Sequence, residues 1–199
     1  MPVLLPPEEA ANWLYESAER LIAARGAIVM ALDGQAAAGK TTLADAVASR
    51  VPGAFVVHMD DFFLPPEKRT PEYAARTLAN ADIERFSEEV LLPLAAGGPV
   101  SYRPYRFHPT PCFLSPVLLP GDRRLVVVEG AYCLHPALFS HYDLRVLMTV
   151  SPETQRRRIL LRNGETLLAR FLSEWIPKEN QHIGTRRLAQ RCDAVIAVP

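Results

Sequence analysis

An α/β fold, with a five-stranded parallel sheet, helices on both faces and a small lobe at one side, is the architecture this sequence predicts, and three observations carry it. Five short apolar runs, Ala27–Leu32, Ala54–His58, Leu125–Val128, Leu144–Val150 and Asp193–Val198, are separated by stretches of helical periodicity. That is the pattern of strands buried on both faces of a parallel sheet. The first run leads directly into a small-residue loop that carries a lysine. The second and third run into acidic residues, where open parallel sheets place their ligands.

The loop reads Gly34-Gln35-Ala36-Ala37-Ala38-Gly39-Lys40-Thr41, followed by Thr42, and fits GxxxxGK[ST] with a strand before it and a helix after it. Small residues let the backbone curl around phosphates, whose charge meets free N–H groups at the positive end of the next helix. Lys40 can reach the β- and γ-phosphates of a nucleotide, and the Thr41 hydroxyl can ligate Mg²⁺. The expected fold class is therefore that of the P-loop NTPases, with ATP and Mg²⁺ as cofactors.

A chain of 199 residues suits one domain with a full-sized core, and 49% of it is hydrophobic. Lys and Arg number 22, as do Asp and Glu, so overall charge gives no case for nucleic acid or an acidic surface. Cys112, Cys133 and Cys192 lack metal-ligand spacing, and their odd number argues against a disulfide framework, so free thiols in a reducing, cytoplasmic setting are expected. No apolar run approaches the roughly 18 residues of a membrane span, and no basic-then-apolar leader opens the chain. Self-association is left open.

In chain order, Pro7-Glu8-Glu9 opens a helix with Ala11, Leu14, Ala18, Leu21 and Ile22 at helical spacing and Gly26 as its terminator. Trp13 and Tyr15 read as packing residues. Leu43–Val51 reads as the helix after the loop, ending before Pro52-Gly53. The Ala54–His58 strand delivers Met59-Asp60-Asp61-Phe62-Phe63 to the ligand edge. Asp60, nearest the strand end, is the candidate general base, and a capping aspartate is the bland alternative. Asp61 and Phe62 are candidate substrate contacts; either Phe62 or Phe63 could floor a pocket while the other joins the core.

Leu64–Pro71 reads as a loop, Asn80–Leu92 as a helix with Ile83, Phe86, Val90 and Leu91 on one face, and Leu94–Pro99 as a turn. Residues 100–120 hold too many prolines for a central strand but suit short edge strands. Here Arg103, Tyr105, Arg106 and His108 gather planar and donor groups suited to a flat or polyhydroxylated acceptor; an edge hairpin with packed aromatics is the alternative. Residues 93–120 thus form the expected acceptor-side lobe of a single domain spanning 1–199.

Glu129, ending the Leu125–Val128 run, can join Thr41 and Asp60 around Mg²⁺. His135 reads as a cap or a backbone-bonded residue. After Pro152, the helical stretch Glu153–Arg162 puts Arg158 and Arg162 four apart, on one face. The planar guanidinium fork suits phosphate oxygens. Three adjacent arginines cannot all face one ligand, so only a subset of Arg156, Arg157 and Arg158 serves this role. Residues 153–166 are the expected lid, Glu165–Lys178 a further helix, and 182–191 a polar, basic stretch before the last strand.

The segments DGQAAAGKTTLA, HMDDFFLPPEKRTPE, IERFSEEVLLPLAAGGPVSYRPYRF, VVVEGAYCLHP, RRRILLRN and EWIPKENQHI occur in order over most of residues 27–199. Together they resemble the uridine kinase-like branch of the P-loop kinases, which also includes phosphoribulokinase and pantothenate kinase relatives. The resemblance implies that Gly34–Thr41 bind ATP, that Asp60 takes the acceptor's proton, that Glu129 helps hold Mg²⁺ and that Arg158 and Arg162 engage phosphates. Tyr105 looks like the tyrosine of the family's YD motif, with Arg106 in the aspartate's place. LANAD at 78–82 departs from the family's DHP-containing acceptor motif, and His108 is near a pyrimidine-contacting histidine without matching its spacing.

The expected activity is transfer of the γ-phosphoryl group of ATP to a small-molecule hydroxyl, with uridine or cytidine becoming the 5′-monophosphate. A nucleoside monophosphate, pantothenate or a sugar acid is the alternative acceptor. A nucleotide-binding regulatory protein, using the same loop as a switch, is the alternative of a different class.

Overall fold

The computed structural model describes residues 1–77, 80–106 and 110–199. Its sheet has six parallel strands instead of the five expected. In chain order they are β1 Val3–Leu5, β2 Ile28–Gly34, β3 Ala54–His58, β8 Leu125–Glu129, β9 Leu144–Val150 and β10 Ala194–Val198, with β4 to β7 in the side lobe. The spatial order is β1-β10-β9-β2-β8-β3. The extra strand, β1, is a three-residue edge piece paired through Val3, Leu4 and Leu5 with Ala194, Val195 and Ile196. It is too short for alternation to reveal.

Alternation along the other strands builds two cores. Met30, Leu32, Leu125, Val127, Val146, Met148 and Ile196 face helix α1 (Pro7–Arg25) and helix α2 (Lys40–Ala48). Ala31, Val126, Val128, Leu147 and Val195 face the other way, where residues 83–95 form helix α4 and contribute Ile83, Phe86, Val90 and Leu91. Burial of both faces explains why these strands read as continuous apolar runs. Helix α1 begins on a proline, has Glu8 and Glu9 in its first turn and ends at Gly26 in a left-handed turn (φ 82°), as expected.

Three boundaries differ from expectation. Helix α2 starts at Lys40, inside the loop motif, because Gly39 adopts a left-handed conformation (φ 98°) that lets the helix begin immediately. Within the expected loop at 64–71, Pro66–Lys68 makes a 3₁₀ turn, and Pro71–Thr77 forms helix α3. Helix α4 passes Pro93 and ends at Ala95, with proline tolerated because Ser87–Leu91 is a π-helical turn that has already reset the hydrogen bonding.

The lobe is two antiparallel pairs, β4 (Val100–Tyr102) with β7 (Val117–Leu119) and β5 (Tyr105–Arg106) with β6 (Cys112–Phe113). After β9, helix α5 (Pro152–Arg170) is broken at Gly164, whose φ of 77° and ψ of 174° are non-helical. A π-helical turn at Phe171–Trp175 joins it to helix α6 (Ile176–Thr185), and α7 (Leu188–Arg191) precedes β10. The stretch read as merely polar and basic is therefore mostly helical. No helix among the described residues is long and apolar enough to cross a membrane.

Candidate active site

The carboxyl ends of β2, β8 and β3 lie side by side, with Leu32 opposite Glu129 and Glu129 opposite His58. β2 ends on Gly34 at φ 146°, where an added Cβ would stand 1.9 Å from the Met148 carbonyl oxygen. Only glycine lets the loop leave the sheet so close to β9. Left-handed Ala37 (φ 61°) and Gly39 then curl the chain so that successive amides form an anion-binding concavity at the start of α2. Lys40 is buried, and its Nζ donates to the Gly34 and Gln35 carbonyls at 2.9 Å each. The loop's own backbone thus holds the ammonium beside the phosphate position.

The hydroxyl of Thr41 donates to Glu129 Oε1 at 3.1 Å, and His58 Nδ1 lies 2.7 Å from the same oxygen. The bond to Glu129 raises the His58 pKa against the opposing effect of burial. Across the cavity floor, Asp60 follows β3 with its side chain open to the cavity. Desolvation nevertheless pushes its pKa up, helped by Glu129 and Asp61 and opposed by Lys40 and His58. Hydroxyl and carboxylate oxygens are the donors Mg²⁺ prefers, and it usually keeps several waters and takes only one or two protein carboxylates. Thr41, Glu129 and Asp60 fit that ion; among the described residues no group of three or more His, Cys, Asp or Glu side chains forms a denser metal cage.

Beneath the loop, Asp33 is almost fully buried and accepts four hydrogen bonds, from the Gly34, Tyr132 and Leu134 amides at 2.6, 3.1 and 2.7 Å and from His182 at 2.9 Å. Burial alone would raise its pKa. The attraction and hydrogen bond of His182, the Leu134 amide and Lys40 together outweigh this and hold it below the ordinary range. Arg186 approaches His182 Nδ1 at 3.0 Å.

Helices α5 and α6 are clasped onto the loop. Gln155 donates to the Ala36 carbonyl at 3.0 Å and Arg158 to the Ala37 carbonyl at 2.9 Å. Glu179 accepts from the Ala36 amide at 2.8 Å, and the Gln35 side chain donates to Asn180 at 2.7 Å. Burial raises the Glu179 pKa, opposed by the Ala36 amide and by Lys40. Asp33, Tyr132, Glu179 and His182 are absent from the sequence-based site. Their signal was slight: an acid just before the loop motif, and polar residues beyond the expected Glu165–Lys178 helix, in or beside a stretch read only as polar and basic.

A cavity of about 980 Å³ runs over this floor. Ala36, Ala37, Ala38, Gly39, Lys40, Thr41, Thr42, Asp60, Glu129, Arg158 and Arg162 all line it. Arg156 and Arg157 are exposed and outside the lining. Gly34 and Gln35 shape the loop from below. Other expected contacts lie elsewhere. Phe62 is fully buried, with ring centroids 5.0 Å from both Phe86 and Tyr102, and its neighbour Phe63 lines the cavity instead. The Asp61 carboxylate is buried and accepts from the Tyr102 hydroxyl at 3.2 Å. Tyr105 is buried against Phe113, Arg103 donates to the Leu114 carbonyl at 3.0 Å, and neither these nor exposed Arg106 lines the cavity. His108 falls outside the described residues.

A solved structure described as a possible uridine kinase from Bacillus stearothermophilus aligns with TM-score 0.71 and 20% identity, over 95% of this chain and 98% of that one. The fold is that of the P-loop kinases. A candidate fructose transport system kinase from Silicibacter sp. TM1040 shares this P-loop kinase fold at TM-score 0.61 and 19% identity, covering 94% and 98% of the two chains. So does phosphoribulokinase from Rhodobacter spheroides, at 0.58 and 14% over 87% and 70%. No family model and no curated protein matches the sequence.

Proposed function

We propose that the protein is an ATP- and Mg²⁺-dependent kinase that phosphorylates a hydroxyl of a small molecule, with uridine or cytidine as the leading acceptor. The observation that carries this reading is the position of Asp60: a carboxylate open to the cavity, across from a phosphate loop whose Lys40 also lines it. A switch that only binds nucleotide has no need of a base there. The kinase-fold neighbours, one described as a possible uridine kinase, support the same reading.

In this reaction the loop amides and Lys40 offset phosphate charge, Arg158 and Arg162 approach the transferred group from α5, and Asp60 accepts the hydroxyl proton as that oxygen bonds to the γ-phosphorus and ADP departs. Thr41 and Glu129, with Asp60, would hold Mg²⁺, which supplies charge neutralisation at the β- and γ-phosphate oxygens. The decisive test is a mass-resolved screen with ATP and Mg²⁺, offering nucleosides, nucleoside monophosphates, pantothenate and sugar acids separately. Conversion of uridine or cytidine to its 5′-monophosphate supports the full reading. Selective conversion of another acceptor replaces the substrate, and ATP binding without any phosphorylated product rejects the kinase in favour of a switch.

A further inference from the structure

One stripe of the α5–α6 helix faces the cavity: Leu167, Phe171, Trp175 and Glu179 recur every four residues and all line it. On a regular helix each four-residue step overshoots a full turn by about 40°, so three steps would carry Glu179 about 120° away from Leu167. The π-helical turn at Phe171–Trp175 takes up one extra residue, returning about 100° of that rotation. The irregularity therefore keeps two aromatics and the loop-bonded Glu179 on one face. Phe171 and Trp175 are only partly buried, and they meet edge to face at 4.4 Å.

Two contacts fix where this stripe stands. Lys178, one turn beyond Trp175, donates to the Asn80 side chain at 3.3 Å, and Asn80 adjoins Ala81, which pairs with Phe63. Phe63, Asn80 and Ala81 all line the cavity. On the other side, Tyr132 packs edge to face against His182 at 5.1 Å. It follows Gly130, where an added Cβ would meet the Met59 side chain at 2.6 Å, so this turn abuts the residue before Asp60.

Tyr132 itself carries two independent marks of a working residue. Its φ of 73° is left-handed, an arrangement a bulky side chain adopts only when its surroundings impose it. Its hydroxyl is buried and has no hydrogen-bond partner among the described residues, and the residue lines the cavity. A buried hydroxyl without a partner is destabilising, a cost that a bound ligand can recover.

Charge separates the two ends of the cavity. The described cations that line it, Lys40, Arg158 and Arg162, belong to the phosphate loop or to the arginine stretch of α5. The end bounded by Phe63, Asn80, Tyr132, Phe171 and Trp175 is lined by aromatic residues and a neutral amide, while Arg170, 4.9 Å from the Trp175 ring centroid, and Lys178, 3.3 Å from the Asn80 side chain, stand outside the lining.

From this arrangement we infer that Phe171, Trp175 and Tyr132 form the acceptor-binding wall, and that it takes an uncharged alcohol bearing a flat ring, held by stacking and by one hydrogen bond to the Tyr132 hydroxyl. The inference rests on the kinase reading and places the acceptor between the helix α6 side and Phe63 instead of in the β5–β6 lobe. Arg170 is engaged with Glu174 and the Trp175 ring and Lys178 with Asn80, so among the described lining residues no cation stands at this end for a phosphate or carboxylate tail.

The test uses the two tryptophans, Trp13 and Trp175. In a Trp13→Phe background, Trp175 is the sole indole and reports on the wall directly. Uridine or cytidine should change its fluorescence saturably, while ribose, which lacks the flat ring, should not. In turnover, Trp175→Leu should raise the acceptor KM about tenfold or more with the ATP KM within twofold, and Trp175→Phe should recover most of the loss. Tyr132→Phe should raise the acceptor KM similarly while leaving thermal stability at or above the parent's, since no intramolecular bond is lost. A rise in the ATP KM with the acceptor KM unchanged overturns the inference, as does a higher kcat/KM for uridine 5′-monophosphate or a sugar acid than for the nucleosides. Normal turnover in every wall variant rejects the wall but keeps the kinase. Saturable quenching by nucleosides without product does the reverse.

Discussion

Asp33 and His182 stand 149 residues apart in sequence and share a 2.9 Å hydrogen bond directly beneath the phosphate loop. The bond ties the end of β2 to α6, while the Tyr132 and Leu134 amides tie the same carboxylate to the turn after β8. Asp33→Asn retains the shape but replaces one acceptor oxygen with an amino group facing donors, so it should destabilise the fold by about 3 kcal/mol. The pH dependence follows from the direction of the shift: a carboxylate held below its ordinary 3.8 contributes stability above that value and loses it as pH falls through the lower folded value. The gap in Tm between parent and variant should be full at pH 7 and shrink below about pH 4. A gap that widens on acidification would contradict the assigned role.

Lys40→Ala removes the cation held by the Gly34 and Gln35 carbonyls. Turnover should fall on the order of 100-fold or more, because in the proposed reaction this charge stands where the transition state concentrates negative charge. Steady-state kinetics on folded protein decide it, and parent-like kcat would remove Lys40 from the phosphate machinery.

Neighbouring aspartates should behave differently. Asp60→Asn should retain nucleotide binding and lose phosphorylation of the acceptor, since Asp60 is open to the cavity. Asp61→Asn should chiefly lower thermal stability, because its buried carboxylate accepts the Tyr102 hydroxyl bond. Calorimetric nucleotide binding alongside turnover and melting separates the two, and equal catalytic loss in both variants would reject the assignment.

Glu129→Gln weakens the oxygen that Thr41 and His58 both address. The Mg²⁺ concentration for half-maximal turnover should rise several-fold. Superimposable Mg²⁺ titrations would exclude Glu129 from the ion's environment.

Glu179 offers the opposite pH sign to Asp33. Its pKa is raised by burial, so the stability of its neutral form is present below 4.5 and lost as pH rises through the folded value. Glutamine keeps an oxygen for the Ala36 amide without the buried charge, so Glu179→Gln should melt at or above the parent at pH 8. A lower Tm there would show that Glu179 is needed ionised.

The readable parts of this protein were those encoded locally. Five apolar runs with two buried faces announced the sheet, while β1 was hidden because three residues cannot display a period. Lys40, Thr41, Asp60 and Glu129 could be placed because each lies in a loop motif or at a strand end. Asp33, Tyr132, Glu179 and His182 could not, since their partners lie on other elements far along the chain. The proline-rich lobe shows the reverse problem: its composition advertises aromatics, but the face they present is set by strand pairing, and Tyr105 turns inward against Phe113.

Gly164 divides one helical segment into a half carrying Arg158 and Arg162 and a half carrying Phe171 and Trp175. That break is the pivot between the halves, and both halves hold the phosphate loop, Arg158 at the Ala37 carbonyl and Glu179 at the Ala36 amide, so a ligand that orders one bears on the other. The two substrates should therefore be thermodynamically linked: ADP should tighten acceptor binding, and acceptor should tighten ADP by the same factor. Gly164→Ala, at a φ of 77° that alanine resists, should alter that shared factor without touching either ligand. Isothermal titrations of each ligand with and without the other measure it, and independent affinities would mean that the pivot transmits nothing.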